Sequence, residues 1–357
     1  MECCLKIRGK HVAYFALLRL VPFLAAAVLA ISAFGQNSQQ ESALLQQGQQ
    51  ALRAEQFTRA AEIFETAVQR FPSSLPAFSG LLLSYLKAKR GADAVRVGKQ
   101  AAERWPQDAE FAHYLGLAYL QSGDPQQAVA QLKRAVALQP RDFDSHYDLA
   151  LAFLEQKQYS PAADQLEEAL RINPAGPLVH ILLGRAYMNS NRTLQAVDQF
   201  KTALRLDPKI PLGHYHLAFA YGSLGKNREA IAEYEAEVRS GNRDVEVYYQ
   251  LAHLQLEAGD LQGAVTNDRA ALALSPRADA YYDLGKALAM LGDTQPAREA
   301  LERSIALNPN DPSPHFQLAR VLLRLEQRAA AEQEMKRFAE LNKSQQRTGG
   351  MVSGRSQ

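Results

Sequence analysis

The sequence has 357 residues, of which 47% are hydrophobic and 22% are charged, and its formal net charge is +2. This composition is typical of a globular chain with a substantial core, and the net charge is too small to favour binding to nucleic acid or to an anionic membrane surface. The two cysteines, Cys3 and Cys4, are adjacent, which excludes a disulfide framework and the ligand spacing of a zinc site.

The first 35 residues have the layout of a secretory signal peptide. An apolar run covers residues 20–34 and small residues occupy positions 33 and 35, so cleavage is predicted before Gln36. The basic residues that precede the run are Lys6, Arg8, Lys10 and Arg19. An uncleaved N-terminal anchor is the alternative, although Arg19 would then lie within the membrane at an energetic cost.

Cleavage at this point would remove both cysteines from the chain. They lie before the apolar run, so the signal is not that of a lipoprotein, and the mature chain would contain no cysteine. A chain without cysteine suits an oxidising compartment. We therefore predict an exported, periplasmic protein or, if the anchor is retained, an inner-membrane protein whose remaining chain lies in the periplasm.

Residues 36–40 are predicted to be a short linker, and from about residue 41 the sequence repeats every 34 residues. The copy at residues 109–142 shows the pattern best. It has Leu115 and Gly116 at positions 7 and 8, Tyr119 at 11, Ala128 at 20, Leu132 at 24, Ala135 at 27 and Pro140 at 32. Nine copies follow this pattern with one residue dropped near Ala278, at about residues 41–74, 75–108, 109–142, 143–176, 177–210, 211–244, 245–277, 278–311 and 312–345.

This pattern resembles the tetratricopeptide repeat, in which two antiparallel helices are joined by a tight turn. The resemblance implies an all-α fold, a right-handed α-solenoid of about nine helix-turn-helix repeats over residues 41–345. Small residues at positions 8, 20 and 27 are expected to let the helix backbones approach, and larger residues at positions 7, 11 and 24 to fill the space beside them. Residues 346–357 are polar and glycine-rich and are predicted to be a disordered tail.

Proline, glycine and aspartate mark the ends of the predicted helices. Proline near position 32 ends the second helix of a repeat, because its ring and its missing N–H cannot continue the hydrogen-bond ladder. A Gly-Asp pair occurs at residues 123–124, 259–260 and 292–293. There we predict the turn between the two helices, with glycine reversing the chain and aspartate capping the next helix.

The resemblance also implies a binding surface, since the first helices of such repeats line a concave groove with positions 2, 5, 9, 12 and 13. Aromatic residues recur here at position 5, and position 9 changes from apolar to basic toward the C-terminus. The predicted partner-binding residues are His113, Tyr147, Arg185, Tyr215, Phe219, Tyr249, His253, Tyr282, Lys286, Phe316 and Arg320. Aromatic residues with interleaved cations favour a protein or peptide ligand. Packing of these tyrosines against the next repeat is the alternative for any single one.

No catalytic constellation, cofactor motif or metal-ligand spacing occurs in the sequence. Four histidines, His146, His180, His214 and His315, share position 4, which is a packing position in this repeat. The sequence therefore predicts a non-catalytic interaction scaffold of the bacterial cell envelope that binds a protein or peptide. A glycan-binding or polysaccharide-export accessory protein with the same aromatic groove is the alternative, and nucleic acid is not expected as a partner.

The sixth and seventh repeats depart from the pattern. Glu237 stands where a small residue belongs, Asn242 replaces the proline, Gln255 occupies the tyrosine position and Asp268 the large apolar position. A charge at a packing position must be paired or solvated. We therefore predict weaker stacking between these two repeats, which could form a hinge over residues 237–268. The alternative is that the departures are harmless drift of the repeat sequence.

Overall fold

The computed structural model describes residues 37–353, with side chains described as far as residue 346. The predicted signal peptide and residues 354–357 of the predicted tail lie outside the described residues. Over the described range the chain consists of 18 α-helices and no strand, which confirms the predicted all-α fold of repeated helix pairs. The helices are α1 (37–53), α2 (Phe57–Arg70), α3 (Leu75–Lys87), α4 (Gly91–Arg104), α5 (Ala109–Gln121), α6 (Pro125–Leu138), α7 (Phe143–Glu155), α8 (Tyr159–Ile172), α9 (Pro177–Asn189), α10 (Thr193–Leu206), α11 (Gly213–Ser223), α12 (Asn227–Arg239), α13 (Val245–Ala258), α14 (Leu261–Leu274), α15 (Ala278–Leu291), α16 (Thr294–Leu307), α17 (Pro312–Arg324) and α18 (Arg328–Ser353).

The helices belong to two compact units, divided between Ile172 and Asn173. The first unit contains α1–α8 and the second contains α9–α18. In each unit an odd-numbered helix packs against the even-numbered helix that follows it, and each pair packs against the next pair of the same unit. Among the described residues, no helix is both long enough and apolar enough to cross a lipid bilayer.

The two helices of a repeat approach most closely at position 8, where four repeats carry glycine. A Cβ atom added at Gly116 would lie 2.5 Å from Cγ of Leu132, which is at position 24 of the same repeat. The same contact joins Gly48 to Phe64, Gly184 to Phe200 and Gly285 to Leu301, at 2.5, 2.4 and 2.6 Å. No real side chain tolerates such a separation, so the missing side chain of glycine admits the large residue opposite.

The second repeat has the two sizes exchanged. Leu82 occupies position 8 and is fully buried, and Gly98 occupies position 24. The space at Gly98 is filled from the next repeat, since a Cβ atom added there would lie 3.0 Å from Cδ1 of Leu115 on α5. In this repeat the small residue therefore admits a side chain of the neighbouring helix pair.

All nine turns within the helix pairs of the described chain reverse through a left-handed residue at position 15. Four of these residues are glycine, with φ between 70° and 94°. The other five, with φ between 56° and 61°, are Glu55, Lys89, Lys157, Asn191 and Glu326. Three of the four glycine turns carry the Gly-Asp pair that predicted a turn from the sequence, and the turn at Gly225 does not. A residue with a side chain pays a steric cost in this conformation, and it is held there by the packing of the two helices that it joins.

Polar side chains and prolines set the helix ends. The carboxylate of Asp124 accepts a hydrogen bond from the N–H of Gln127 at 3.1 Å, and that of Asp260 from Gly263 at 3.0 Å, as predicted for the Gly-Asp pairs. Asp293 differs, because it precedes α16 without a side-chain capping bond. The second helix ends two residues before proline in seven repeats, at Pro72, Pro106, Pro140, Pro174, Pro208, Pro276 and Pro309.

Two predicted irregular segments are helical. Residues 37–40, assigned to a linker from their sequence, belong to α1, and the predicted disordered tail continues α18 from residue 346 to Ser353. Both segments continue a longer helix, and adding residues to a helix that already exists costs less than starting a new one. The first and last helices therefore extend beyond the bounds predicted for the repeat array.

We expect Gly116→Leu to lower the free energy of unfolding by about 1–3 kcal/mol, because the new side chain would overlap Leu132. Adding Leu132→Ala should recover part of the loss, because the smaller residue frees the space that the new side chain needs. Urea unfolding followed by the fluorescence of Trp105, which lies between Phe78 and Phe111 with ring centroids 5.2 Å from each, measures this region. Equal stability of the single and double variants would contradict the proposed contact.

Lys157→Gly should raise the free energy of unfolding by about 0.5–1 kcal/mol. Glycine removes the left-handed strain of about 1–2 kcal/mol, and the greater freedom of the unfolded chain offsets part of that gain. Gly225→Ala is the matched control, because Gly225 has φ 70° and no atom lies within 4 Å of an added Cβ. It should be destabilising by a similar amount, and thermal unfolding followed by circular dichroism measures both. A gain in both variants would refute the backbone explanation.

Candidate functional site

Two of the predicted partner-binding residues lie in the first unit, and both make contacts there. His113 Nε2 on α5 lies 2.6 Å from Asp148 Oδ2 on α7. Tyr147 stacks on Phe143 one turn earlier, with ring centroids 5.9 Å apart and an interplanar angle of 13°. Burial and the nearby charge of Asp148 raise the pKa of Tyr147. Both side chains thus remain partly accessible while joining neighbouring parts of the unit.

The other nine predicted residues lie in the second unit, where the position 5 aromatics are half-buried. Tyr215 on α11 meets Tyr234 on α12 with ring centroids 5.9 Å apart, and Phe316 on α17 meets Phe338 on α18 at 5.2 Å. Tyr249 lies beneath the guanidinium of Arg277, which is 4.0 Å from the ring centroid. One side of each ring therefore packs within the unit. For Tyr282, burial raises the pKa of the phenol, with Asp283 adding to the rise.

Position 9 supplies the more exposed side chains of the second unit. Phe219 is 47% exposed, and Arg185 and Arg320 are also exposed. Helices α9 and α11 are in contact, so Arg185 and Phe219 occupy equivalent positions on neighbouring first helices. Burial, together with the charge of Arg185, lowers the pKa of His216 to about 4, which keeps this ring neutral as it stacks on Phe200.

His253 and Lys286 complete position 9 and are half-exposed. His253 Nδ1 lies 2.8 Å from Asp283 Oδ2 on α15, and its Nε2 lies 3.6 Å from Glu257 Oε1. The hydrogen bond to Asp283 raises the pKa of His253, which favours the charged imidazolium. The imidazolium of His253 on α13 therefore lies beside two carboxylates. Lys286 and Arg320 line a groove between α15 and α17 instead.

The four histidines at position 4 hydrogen-bond to the residue nineteen positions later, on the second helix of the same repeat. His146 Nδ1 lies 2.8 Å from Gln165 Oε1, and His180 Nδ1 lies 2.7 Å from Gln199 Oε1. His214 and His315 make the same contact with Glu233 and Glu334, at 2.6 and 2.5 Å. These contacts give the histidines a structural role, in line with the packing position expected for them, but their hydrogen-bond partners were not predicted from the sequence. In the described part of the chain, no group of three or more His, Cys, Asp or Glu side chains is placed to hold a metal ion.

A family model described as "Tetratricopeptide repeat" matches residues 45–109, 115–177 and 218–276, which together make up more than half of the chain. The chain belongs to the tetratricopeptide repeat family. Two further models, described as "TPR repeat" and "Tetratricopeptide repeat", match residues 184–225 and 278–311. No curated protein matches this tetratricopeptide repeat chain by sequence.

Several solved structures are similar to parts of this tetratricopeptide repeat chain. The crystal structure of the APC/C hetero-tetramer Cut9–Hcn1 aligns with 74% of this chain at 17% identity and a TM-score of 0.46, and the chain spans 52% of the length of that one. MamA MSR-1 aligns with 46% at 28% identity and a TM-score of 0.43, with 94% of its own length covered. MamA 41-end from Desulfovibrio magneticus RS-1 aligns with 46% at 25% identity and a TM-score of 0.44, with 93% covered.

The irregular tetratricopeptide repeats contain two buried carboxylates in contrasting environments. Glu237 is 3% exposed, but its Oε2 accepts a hydrogen bond from the N–H of Tyr215 at 3.0 Å and its Oε1 accepts one from Nδ2 of Asn242 at 2.8 Å. Thus Asn242, which replaces the usual proline, satisfies the carboxylate that replaces the usual alanine. Leu212, with φ 61°, directly precedes α11 in the same repeat and delays the helix to Gly213.

Asp268 on α14 is fully buried, and neither of its carboxylate oxygens has a hydrogen-bond partner. Burial raises the pKa of Asp268 to about 8, the charges of Asp283 and Asp279 add to the rise, and Arg277 opposes it. Folding therefore takes up a proton at pH values between the ordinary pKa of 3.8 and about 8. The hinge predicted over residues 237–268 stays a prediction.

We expect the free energy of unfolding to fall as the pH rises from about 4 to about 8, because the unfolded chain loses the proton of Asp268 first. Asp268→Leu should remove this dependence and add about 1–3 kcal/mol at pH 8, since leucine fits a position that is apolar in other repeats. Asp268→Asn is the matched control, which should remove the pH dependence without the full gain. Urea unfolding at several pH values measures both, and an unchanged pH slope in Asp268→Leu would contradict the assignment.

Proposed function

We propose that this protein is a non-catalytic interaction scaffold of the bacterial cell envelope, which binds a protein or peptide on the first helices of its repeats. Arg185 and Phe219 carry the proposal. They lie at position 9 of neighbouring repeats, Phe219 is 47% exposed, and Arg185 forms no ion pair with any described residue. Large aromatic and arginine side chains are the types that contribute most to protein–protein affinity.

Packing explains the neighbouring aromatics but not these two side chains. Tyr215 and Phe316 each bury one side against the second helix of their own repeat. Phe219 leaves nearly half of its surface in water, which costs hydration free energy that a partner would recover. The proposed contact surface is therefore centred on Phe219 and Arg185, with the half-buried tyrosines as its floor.

The envelope location rests on the signal-like residues 1–35. A basic start, an apolar run and small residues before Gln36 are what signal peptidase substrates share. Mass spectrometry of the protein isolated from cell fractions tests this part of the proposal. A mature N-terminus at Gln36 in the periplasmic fraction supports export, and an intact N-terminus in the cytosol refutes it.

Binding is tested by pull-down from an envelope extract, followed by quantitative mass spectrometry. We expect the double variant Arg185→Ala, Phe219→Ala to recover at least about tenfold less of any partner that the unaltered protein retains, because truncation of central aromatic and arginine side chains has effects of this size. Leu194→Ala is the matched control, since Leu194 is 67% exposed but lies on the second helix α10. It should recover the partner in full.

Circular dichroism confirms that each variant keeps its helical content. Equal recovery by the double variant and the unaltered protein would refute the proposed surface. Release of the partner by free glycan would favour the glycan-binding alternative over a protein-binding scaffold.

A further inference from the structure

A groove between α15 and α17, at the end of the second unit, combines positive charge with exposed apolar surface. Lys286 and Met290 on α15 line one side, and Arg320 and Arg324 on α17 line the other. Met290 is 57% exposed. These are positions 9 and 13 of two successive repeats, so a single bound segment could reach all four side chains.

The cations of this groove have no carboxylate partners. In the described chain, Lys286, Arg320 and Arg324 take part in no ion pair, and Arg324 instead donates to the backbone carbonyl of Ala289 at 2.6 Å. The carboxylate of Asp283, also on α15, is buried and bonded to His253 at 2.8 Å. The groove therefore presents three positive charges that nothing on its own surface neutralises.

Two basic side chains of the preceding repeat lie beside carboxylates. Arg277 contacts the carboxylates of both Glu246 and Asp279, at 2.8 and 2.7 Å. His253 likewise lies between Asp283 and Glu257. Arg277 and His253 are therefore paired with carboxylates, whereas the three cations of the groove are not. Leu323, which precedes Arg324 on α17, is a further large apolar side chain and is 55% exposed.

We propose that this groove binds an acidic segment of a partner protein that also carries apolar side chains. Carboxylates of the segment would pair with Lys286, Arg320 and Arg324, and an apolar side chain would cover Met290. The positive charge of the groove favours a negatively charged ligand. The exposed apolar surface favours a peptide over a polyanion that has no apolar side chains. The inference rests on the proposed function, because it names the chemistry of the partner for one part of the scaffold.

The test uses the full chain and labelled peptides of about twelve residues, a length that spans two neighbouring helices. The acidic probe contains Asp, Glu, Leu and Phe, the second probe has Lys and Arg in place of the acids, and the third is a single-stranded DNA oligonucleotide. Fluorescence anisotropy should show at least tenfold tighter binding of the acidic peptide than of the basic one. Raising the salt concentration from about 0.05 M to about 0.3 M should weaken it.

The triple variant Lys286→Gln, Arg320→Gln, Arg324→Gln should bind the acidic peptide at least tenfold more weakly. The matched control is Arg303→Gln, Arg328→Gln, Lys336→Gln, which removes the same charge from exposed positions on α16 and α18. It should change the affinity less than about twofold, since its cations lie outside the groove. Met290→Ser should weaken the peptide without altering the salt dependence.

The inference is overturned if the acidic peptide does not bind, if both triple variants lose affinity equally, or if the oligonucleotide binds more tightly than the peptide. Circular dichroism excludes unfolding as the cause, and Arg320→Gln alone gives a second measurement should the triple variant unfold. If the acidic peptide does not bind, the proposed function still stands provided that the double variant Arg185→Ala, Phe219→Ala recovers at least about tenfold less of an envelope partner. If the double variant recovers as much partner as the unaltered protein, the proposed function itself is refuted.

Discussion

The structure of both units depends on the contact between a small residue at position 8 and a large residue at position 24. At Gly116 and Gly184 the approach leaves no room for a Cβ atom, because the side chain of Leu132 or Phe200 fills the space directly above the backbone. Gly48 and Gly285 make the same contact with Phe64 and Leu301. In these four repeats the missing side chain of glycine sets how closely the two helices of the pair approach.

That close contact also explains why the turns tolerate strain. Position 15 adopts a left-handed conformation in all nine helix pairs of the described chain, even where it is Lys89, Lys157 or Glu326. A short turn between two helices held this closely has few conformations that connect them. The packing free energy of the pair offsets the steric cost, so glycine is favourable at the turn but not required.

A buried carboxylate at a packing position of the repeat is stable where hydrogen-bond donors reach it and lowers the stability of the fold where none do. Both carboxylate oxygens of the buried Glu237 accept a hydrogen bond, because the side chain of Asn242 and the backbone N–H of Tyr215 donate to them. Asp268 has no such donor, and its proton takes the place of a partner. The same contrast applies to basic side chains at the surface, because Arg277 contacts two carboxylates, whereas Lys286, Arg320 and Arg324 of the groove form no ion pair with a described residue.

The sequence by itself determined the repeat, its register and the all-α fold. This was possible because small residues, large residues and proline recur at fixed positions every 34 residues, which the order of residues along the chain shows directly. Position 9, with Arg185, Phe219 and Arg320, was one of the two rows of predicted binding residues, and position 5 was the other. Only the tertiary structure decided which aromatic residues pack, such as Tyr215 on Tyr234, and which remain exposed. It alone decided the pairing of position 4 histidines, the satisfaction of Glu237 and the isolation of Asp268, because each depends on the distance between side chains on different helices, which spacing along one chain does not specify.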